Sequence, residues 1–372
     1  MAAGADRRRT GMVIVLALAA YLAFWPVPIR PVGWHAPTAP GVQAANDRLS
    51  VVNHIDLHGE VGPEHVAAGP DGKLYASVAS GHILRMAPDG SGQQIVADTG
   101  GRPLGLAFDA HGRLIVADAF RGLLSIGADG KPAVLVAAGD GQPVSFLNAV
   151  TVASSGKIYV TDSSRRFTPA RWGTTQEAAL LDILEQSASG RVLEVDPATQ
   201  RVRVVASGLS LANGLVLSED ERRLFVSESG CYRVWEIAVD ADALDLARPS
   251  PSARLVLDNL PGFPDNLMRG AGGRIWVGLA GPRNALDQMA ERPFLRALML
   301  RVPRFLWPRP AAFGHVIAFT EDGNIVADLQ DPSGHSPSTT GVLETAQGRY
   351  IQNVDGPSLD WQPVNNRPDN PS

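Results

Sequence analysis

Five oxygen-bearing side chains stand just before or at the start of β-rich segments. They occur in the phrases GPEHVA, FLNAV, LANGL and FPDNL, and they are Glu64, Asn148, Asn213, Asp265 and Asn266. Carboxylate and amide oxygens suit hard cations such as calcium, which takes about six to eight oxygen ligands. Taken singly, an Asn or Asp in such a place is more often a turn residue. The prediction of a metal site therefore depends on whether the fold brings the five together.

The elements that would bring them together are repeated β-hairpins. An apolar alternating run, a polar turn and a second β-rich run recur at 66–79, 105–119, 149–163, 214–229 and 266–280, with a weaker copy at 340–354. Spacings of roughly 40 to 50 residues are typical of propeller blades. The six copies predict an all-β fold, a six-bladed β-propeller over residues 51–359, and a β-sandwich is the alternative. A propeller would direct oxygens from four blades at one central channel.

Length and composition agree with one large β-domain. The chain has 372 residues, of which 45% are apolar and 19% charged, so a sizeable core is available. Its net charge of -5 argues against nucleic acid as a partner, because phosphate binding needs a concentrated positive field. A single cysteine, Cys231, excludes an internal disulfide.

The N-terminal segment predicts a membrane anchor. Residues 1–10 carry three consecutive arginines, and an uncharged apolar run from Gly11 to Ile29 follows them. This length predicts a single transmembrane helix over 11–30, with residues 1–10 in the cytoplasm and the propeller exported to the periplasm, a lumen or the cell exterior. A cleaved signal peptide and a buried soluble segment are the alternatives. Residues 31–50 are predicted to be a linker, and residues 360–372 a disordered tail.

The hairpin pattern is interrupted between the last two copies. Near 282–312 the apolar spacing becomes helical, and arginines alternate with leucines, methionines and a Phe-Leu-Trp phrase. We predict a helical insertion here. Three interpretations are open: a helix packed on the propeller, a lid over an apolar substrate, or a segment that contacts a membrane.

Two phrases resemble a known family. NGLVLS from Asn213 to Ser218 and LPGFPDN from Leu260 to Asn266 are similar to the conserved region of the strictosidine synthases. The whole plan, from about Glu64 to Val354, resembles the adipocyte plasma membrane-associated protein branch of the SMP-30/gluconolactonase/paraoxonase superfamily. The resemblance implies a six-bladed propeller with one central calcium ion and, commonly, hydrolysis of lactones or aryl esters.

The resemblance also assigns the metal ligands. Glu64, Asn148, Asn213 and Asp265 match the family's calcium ligands by position, and Asn266 is a further ligand by similarity to the paraoxonases. Relatives often carry Asp where this chain has Ala149 and His65. These departures remove carboxylates from a second, structural calcium site, so a single ion is expected.

Two residues are candidates for catalysis. Glu344, in the phrase VLETAQG, falls where the plant synthases carry the glutamate of their amine-aldehyde condensation. The plant phrase continues with His-Asp-Gly, which this chain lacks, and a solvated turn residue is the alternative. His65 is the histidine next to a predicted ligand, and it is the nearest candidate for a general base; a histidine packed beside a strand is the alternative.

Three functions follow from these residues and the resemblance. The first is a membrane-anchored, calcium-dependent hydrolase acting on a small hydrophobic ester or lactone, with water attacking a carbonyl polarised by the metal. The second is a propeller that binds a ligand or partner without reacting, with calcium serving only its structure. The third is condensation of an amine with an aldehyde, for which Glu344 would have to lie at the channel.

Overall fold

The computed structural model describes residues 2–38, 44–136, 138–139, 142–308 and 311–363. The short apolar alternating runs form antiparallel strands, and the Gly- and Asp-containing phrases between them form tight turns. Six sheets result, and each of the six repeated phrases forms the first hairpin of one sheet. The predicted six-bladed β-propeller is confirmed.

The strands of each blade follow one another in sheet order from the channel outward. Blade 1 contains His65–Ala68, Leu74–Ser77, His82–Met86 and Gln94–Asp98, and blade 2 contains Pro103–Phe108, Leu114–Asp118, Gly122–Ile126 and Pro132–Val136. Blade 3 contains Leu147–Val152, Ile158–Asp162, Gly190–Asp196, Arg201–Leu209 and a short parallel fifth strand, Leu244–Asp245. Blade 4 contains Ala212–Leu217, Arg223–Glu228, Arg233–Ala238 and Ala253–Leu257. Blade 5 contains Gly262–Arg269, Ile275–Pro282, Gly314–Phe319 and Ile325–Asp331, and blade 6 contains Thr339–Glu344, Gly348–Asn353, Ser358–Pro363 and Asn53–Asp56. A separate two-residue ladder pairs Ala138–Gly139 with Gln142–Pro143.

Blade 6 closes the ring by combining the two ends of the propeller sequence. Its outermost strand, Asn53–Asp56, pairs antiparallel with Ser358–Pro363. This pairing covers a strand edge that would otherwise be open. The strand ends at Pro363, four residues beyond the predicted boundary at 359, because Leu359 is buried and Asp360 accepts hydrogen bonds from His54 and Ser336. The rest of the predicted tail, residues 364–372, lies outside the described residues.

The core lies between neighbouring blades. One apolar cluster joins Val192 of blade 3 to Leu224 of blade 4, and another joins Phe225 of blade 4 to Phe319 of blade 5. The two phenylalanine rings meet edge to face, with centroids 6.4 Å apart. The six inner strands contact one another around the channel. Side chains at the starts of these strands therefore approach a common axis.

Four α-helices accompany the propeller in the described part of the chain: α1 (Ala2–Phe24), α2 (Pro169–Trp172), α3 (Thr175–Glu185) and α4 (Pro293–Arg301). Short 3-10 helices cover Ser229–Cys231, Ala271–Gly273, Asp287–Met289 and Arg304–Leu306. Helix α4 lies within the predicted insertion near 282–312. Helix α3 was not predicted, although its start has the sequence of a capping box: the Thr174 hydroxyl accepts a hydrogen bond from the Glu177 amide at 3.0 Å.

The segment predicted as a linker packs on the body in its described parts. The Val32 amide donates to the Glu185 carbonyl at 2.8 Å, and the Trp34 ring lies 6.1 Å from that of Tyr232. Leu49 is fully buried. Apolar side chains thus hold these parts of the segment against the body.

The predicted transmembrane anchor is not supported. Among the described residues, no helix has both the length and the apolar character that a membrane crossing requires. Helix α1 carries its charged residues before Thr10 and ends at Phe24, before Pro26, where the ring of proline would interrupt it. Its uncharged part, from Gly11 to Phe24, rises about 21 Å, against ~30 Å for the hydrocarbon core.

Candidate functional site

Four of the predicted metal ligands line one cavity at the channel axis. Glu64 immediately precedes the inner strand of blade 1, and Asn148, Asn213 and Asp265 lie in the inner strands of blades 3, 4 and 5. The cavity has a volume of about 380 Å³. The four residues are only 4%, 6%, 5% and 9% exposed, respectively. The fold thus brings together from four blades side chains that are far apart in sequence.

Irregular strand pairing places three of these residues. The ladders of blades 3, 4 and 5 shift register at Asn148, Asn213 and Asp265. Such bulges release residues from regular pairing and redirect their side chains, which is why they are frequent next to functional sites. Gly214 follows Asn213 because a side chain at this position would collide with the Leu267 amide and the Asp265 carbonyl of blade 5. The NG phrase therefore marks close packing of two inner strands, and not a turn.

Buried hydroxyl groups fix the backbone of two ligands. Thr161, on the second strand of blade 3, donates to the Asn213 carbonyl of blade 4 at 2.6 Å. Ser227, on the second strand of blade 4, donates to the Asp265 carbonyl of blade 5 at 2.6 Å. Each hydroxyl crosses from one blade to the inner strand of the next. The positions of the ligands are therefore coupled to the packing between blades.

The backbone of Glu64 is held in the same way. Thr340 of blade 6 donates to the Glu64 carbonyl at 2.8 Å, and the Asn266 side-chain amide donates to the same oxygen at 2.9 Å. The Glu64 carboxylate lies near one cation, with Oε2 3.7 Å from Nη2 of Arg102. That distance is too long for a hydrogen bond.

Each of the four ligand candidates has a buried oxygen without a hydrogen-bond partner. These atoms are Oε2 of Glu64, Oδ1 of Asn148, Oδ1 of Asn213 and Oδ1 of Asp265. An unsatisfied buried polar atom costs about 1–3 kcal/mol, so native proteins contain few of them. Four such oxygens around one cavity are an arrangement that a bound cation would satisfy.

The pKa values of the two carboxyl groups in the cavity, those of Asp265 and Glu64, also favour a bound cation. Burial raises the pKa of Asp265 well above its ordinary range, and the nearby Glu64 charge raises it further, while the Asn266 backbone amide and the Asn213 side chain partly offset this. Burial also raises the pKa of Glu64, against an opposing effect of Arg102. Two acidic groups that are costly to ionise face one cavity. A divalent cation would reverse that cost.

The chemistry of this donor set fits calcium. It consists of two carboxylates and two amides, all oxygen donors, which is the preference of a hard cation that also keeps water ligands. Among the described residues, there is no cluster of three or more His, Cys, Asp or Glu side chains suited to a metal such as zinc.

Two predicted site residues lie next to the ligands but do not line the cavity. Asn266 is 1% exposed and its side-chain amide is bound to the Glu64 carbonyl. His65 is also buried, its Nδ1 has no hydrogen-bond partner, and burial lowers its pKa to about 4. His65 begins the regular strand after Glu64, where successive side chains point to opposite faces, and the Asn266 side chain in the bulge of blade 5 is directed at the Glu64 carbonyl.

Glu344 is not brought to the cavity either. It ends the inner strand of blade 6, and its Oε2 accepts hydrogen bonds from the Trp276 indole at 2.9 Å and the Ala271 amide at 3.0 Å. Arg274 forms an ion pair with the same carboxylate. These donors lower the pKa of Glu344 despite its burial. The structure thus gives Glu344 a set of fixed partners and no place at the channel, which removes the basis of the condensation hypothesis.

The wall opposite the ligands is apolar. Helix α3 contributes Ala179, Leu180 and Ile183, the loop before the inner strand of blade 3 contributes Phe146, and the start of the inner strand of blade 5 contributes Phe263. This wall was not predicted, because α3 is inserted between the second and third strands of blade 3. The capping box at Thr174 was the signal that could have located it. The cavity therefore combines a polar floor with an apolar cover.

Comparisons of the sequence with protein families give consistent matches. A model described as the SMP-30/gluconolactonase/LRE-like region matches residues 65–288, and one described as strictosidine synthase-like, N-terminal, matches residues 41–86. The adipocyte plasma membrane-associated protein of Salmo salar is 31% identical over 80% of this chain and 74% of its own length. A strictosidine synthase-like 6 protein of Arabidopsis thaliana is 32% identical over 75% of this chain and 73% of its own length.

Solved structures agree on the fold. A gluconolactonase from Xanthomonas campestris superposes with a TM-score of 0.58 at 21% identity, covering 90% of this chain and 99% of that one. A calcium-binding protein, regucalcin, from Agrobacterium tumefaciens superposes with a TM-score of 0.53 at 13% identity, covering 82% of this chain and 93% of that one. At these identities, the similarity supports the propeller architecture alone.

Proposed function

Because this chain belongs to the SMP-30/gluconolactonase/LRE-like family, with a strictosidine synthase-like N-terminal region, we propose that it is a calcium-dependent hydrolase of lactones or esters. The observation that carries the proposal is the convergence of four partnerless buried oxygens on one cavity. Solved structures of similar fold include a gluconolactonase and a calcium-binding protein. Their names agree with the proposal.

The residues of the site have separate roles in this proposal. Glu64, Asn148, Asn213 and Asp265 would hold the ion through their free oxygens. Bound calcium would supply Lewis-acid polarisation of the scissile carbonyl. The apolar cover formed by α3 would exclude bulk water and bind the hydrocarbon part of the substrate.

A non-catalytic binding propeller is the second candidate. It is favoured by one observation: no histidine occurs among the described residues that line the cavity, so a histidine general base is missing from its wall. In this case calcium would serve structure, and the cavity would bind an apolar ligand without turnover.

Hydrolysis assays separate the two candidates. Phenyl acetate and a lactone would be offered to the full chain with calcium, with a chelator, and as the Asp265→Asn variant. The proposal requires turnover that is lost in both perturbed samples while the circular dichroism spectrum is retained. Calcium binding without turnover of any ester or lactone would favour the binding propeller.

We also propose that α1 associates the chain with a membrane surface. Its apolar side chains from Met12 to Leu16 are all more than half exposed. The relatives from Salmo salar and Homo sapiens are named plasma membrane-associated proteins. Flotation with phosphatidylcholine vesicles should retain the full chain and lose a variant that lacks residues 2–24. Equal flotation of both would contradict this. The orientation indicated by the arginines stays a prediction.

A further inference from the structure

A second, larger cavity lies beside the first, under the helical insertion of blade 5. Its volume is about 650 Å³. Leu180, Asn284 and Leu286 line both cavities, so the two spaces share a wall. The sequence left three interpretations of the insertion open. In the structure, residues of the insertion form part of the wall of this cavity.

One face of α4 lines this space. Leu295, Leu298 and Met299 follow the i, i+3, i+4 spacing of a single helical face, Val302 follows directly after the helix, and all four are only half-buried. Such a face normally packs tightly against a core, because protein interiors contain few voids larger than a water molecule. Here it borders open space. The apolar face of α4 therefore forms one wall of the cavity.

The helix is held in place from its other side. Arg296 is 1% exposed, and its guanidinium donates to the Leu184 carbonyl at the end of α3 at 3.0 Å and to the Ala290 carbonyl at 3.1 Å. A third carbonyl, that of Val32, accepts from the same side chain. Helix α4 is thus tied by hydrogen bonds to α3 and to the N-terminal segment. The cavity is a fixed feature of this packing.

The chemistry of the two cavities differs sharply. None of the described residues that line the second cavity has a buried polar side-chain atom without a partner, whereas the first has four. The one charged side chain among the described lining residues, Arg283, is paired with Asp287 at 2.7 Å. The Trp307 indole donates to the Val302 carbonyl at 2.9 Å. The second cavity therefore favours an occupant without polar groups.

We propose that the second cavity binds the alkyl chain of a substrate whose ester or lactone group lies in the first. The substrate class is thus a lactone or ester with an extended alkyl chain, in preference to a sugar lactone or a short ester. This inference rests on the proposed function for the position of the reacting group. The alkyl-binding property of the second cavity stands on its own observations.

Chain length provides the activity test. In a series of γ-lactones from four to twelve carbons, kcat/KM should rise by about fourfold per added methylene, as expected for transfer of CH₂ from water to an apolar site. Leu298→Trp, which fills the cavity, should remove the rise for the longest lactones and so lower the ratio of kcat/KM for the twelve-carbon lactone to that for the four-carbon lactone. Phe294→Trp is the matched control, because Phe294 is on the same helix but 59% exposed. It should behave as the wild type.

Calorimetric binding of 1-decanol, with 1-butanol as the short control, makes the test independent of hydrolysis. The wild type and Asp265→Asn should both bind 1-decanol, and Leu298→Trp should bind it at least tenfold more weakly. If Leu298→Trp folds poorly, Val302→Phe, in the same cavity wall just after α4, carries the same expectation. Decanol binding without any hydrolysis would refute the proposed function and leave the alkyl site standing. Hydrolysis that is indifferent to chain length, with decanol binding absent or unaffected by both substitutions, would overturn the alkyl site.

Discussion

The two ends of the inner strand of blade 5 each meet a buried carboxylate, and the two carboxylates differ in every other respect. Asp265 lies near the start of Gly262–Arg269, about 13 Å from Arg269 at 3.3 Å per residue, and Glu344 contacts Ala271 just beyond the end of the strand. Glu344 accepts from an indole, a backbone amide and a guanidinium. Oδ1 of Asp265 has no partner.

The pKa values follow the partners. Burial alone would raise both, but the donors around Glu344 reverse the shift, whereas Asp265 has only the Asn266 backbone amide and the Asn213 side chain to oppose burial and the charge of Glu64. A buried carboxylate with full partners is part of the scaffold. Asp265, whose free oxygen faces the cavity together with three others, is the candidate for holding a cation. This difference, and not the presence of a glutamate in a matching phrase, separates functional from structural acids here.

The largest expected effect comes from the same substitution made at a cavity carboxylate, Glu64, and at Glu344. Glu64→Gln removes one of two charges that would hold calcium, so kcat/KM for phenyl acetate should fall by about 10³-fold or more. Glu344→Gln should change it by less than about threefold, because that side chain is remote from the cavity. Steady-state kinetics at saturating calcium measures both. Similar losses of kcat/KM in the two variants would contradict the assignment of Glu64 to the cation site and of Glu344 to the scaffold.

Removal of calcium should have the next largest effect. A ligand at a hundred times its Kd stabilises the folded state by about 2.7 kcal/mol. We expect a chelator to lower the melting temperature of the wild type by ~5 °C. Glu64→Gln should not respond to the chelator. A chelator response that survives in this variant would place the stabilising ion elsewhere.

Substitution of Glu344 should lower the free energy of unfolding although it leaves kcat/KM nearly unchanged. Glu344→Gln weakens the charge-assisted hydrogen bonds to Arg274 and Trp276, and we expect a loss of about 2 kcal/mol in the free energy of unfolding. Urea denaturation with calcium present measures it. Arg274→Met serves as the partner variant, and the double variant should be less destabilised than the sum of the two.

A third buried carboxylate, that of Asp182 in α3, is intermediate between Asp265 and Glu344: it has hydrogen-bond donors, yet its pKa is raised. Ser187 and Ser210 donate to it at 3.3 and 3.4 Å, yet burial raises its pKa to about 7. A carboxyl with a raised pKa in the folded state binds its proton more tightly there than in the unfolded chain. Stability from this group is therefore present below about pH 4 and lost as the pH rises to about 7.

Asp182→Asn should remove that dependence. Relative to the wild type, its free energy of unfolding should increase by about 2 kcal/mol between pH 5 and pH 8. Urea denaturation at the two pH values tests this. A constant difference between the two proteins would mean that Asp182 does not titrate in this range.

The smallest effect concerns the hydroxyls that position the ligands. Ser227→Ala removes the hydrogen bond to the Asp265 carbonyl, and we expect a loss of about 1 kcal/mol in stability and a severalfold weaker calcium affinity. Ser125→Ala, on the third strand of blade 2, is the control for loss of a buried hydroxyl away from the site. Its calcium affinity should equal that of the wild type.

Much of the fold could be predicted because each blade contains a hairpin phrase that is recognisable from the local sequence. The hairpin phrases are short-range signals, and their common start position identified Glu64, Asn148, Asn213 and Asp265 as neighbours. Strand Asn53–Asp56 could not be assigned to blade 6, since its partner is about 300 residues away. The different facing of His65 was available from strand alternation, since His65 begins a regular strand directly after Glu64. The direction of Asn266 was not, because it lies with Asp265 in a bulge where the alternation is broken.

Other parts needed the tertiary structure. The partners of Glu344 come from blade 5, so no local pattern distinguishes its carboxylate from a catalytic one. The apolar run of α1 was long enough in sequence to predict a membrane span, but the helix ends at Phe24. The second cavity depends on how α4 is held by Arg296 against α3. Helical spacing predicts that α4 has an apolar face, but it does not predict that a cavity lies next to this face.

The assignment of the cation site is tested by calorimetric titration of the chelator-treated full chain with calcium. We expect one binding site, lost in Asp265→Asn and retained in Glu344→Gln. Failure of the wild type to bind calcium, or undiminished binding by Asp265→Asn, would contradict the assignment of the four free oxygens to a cation.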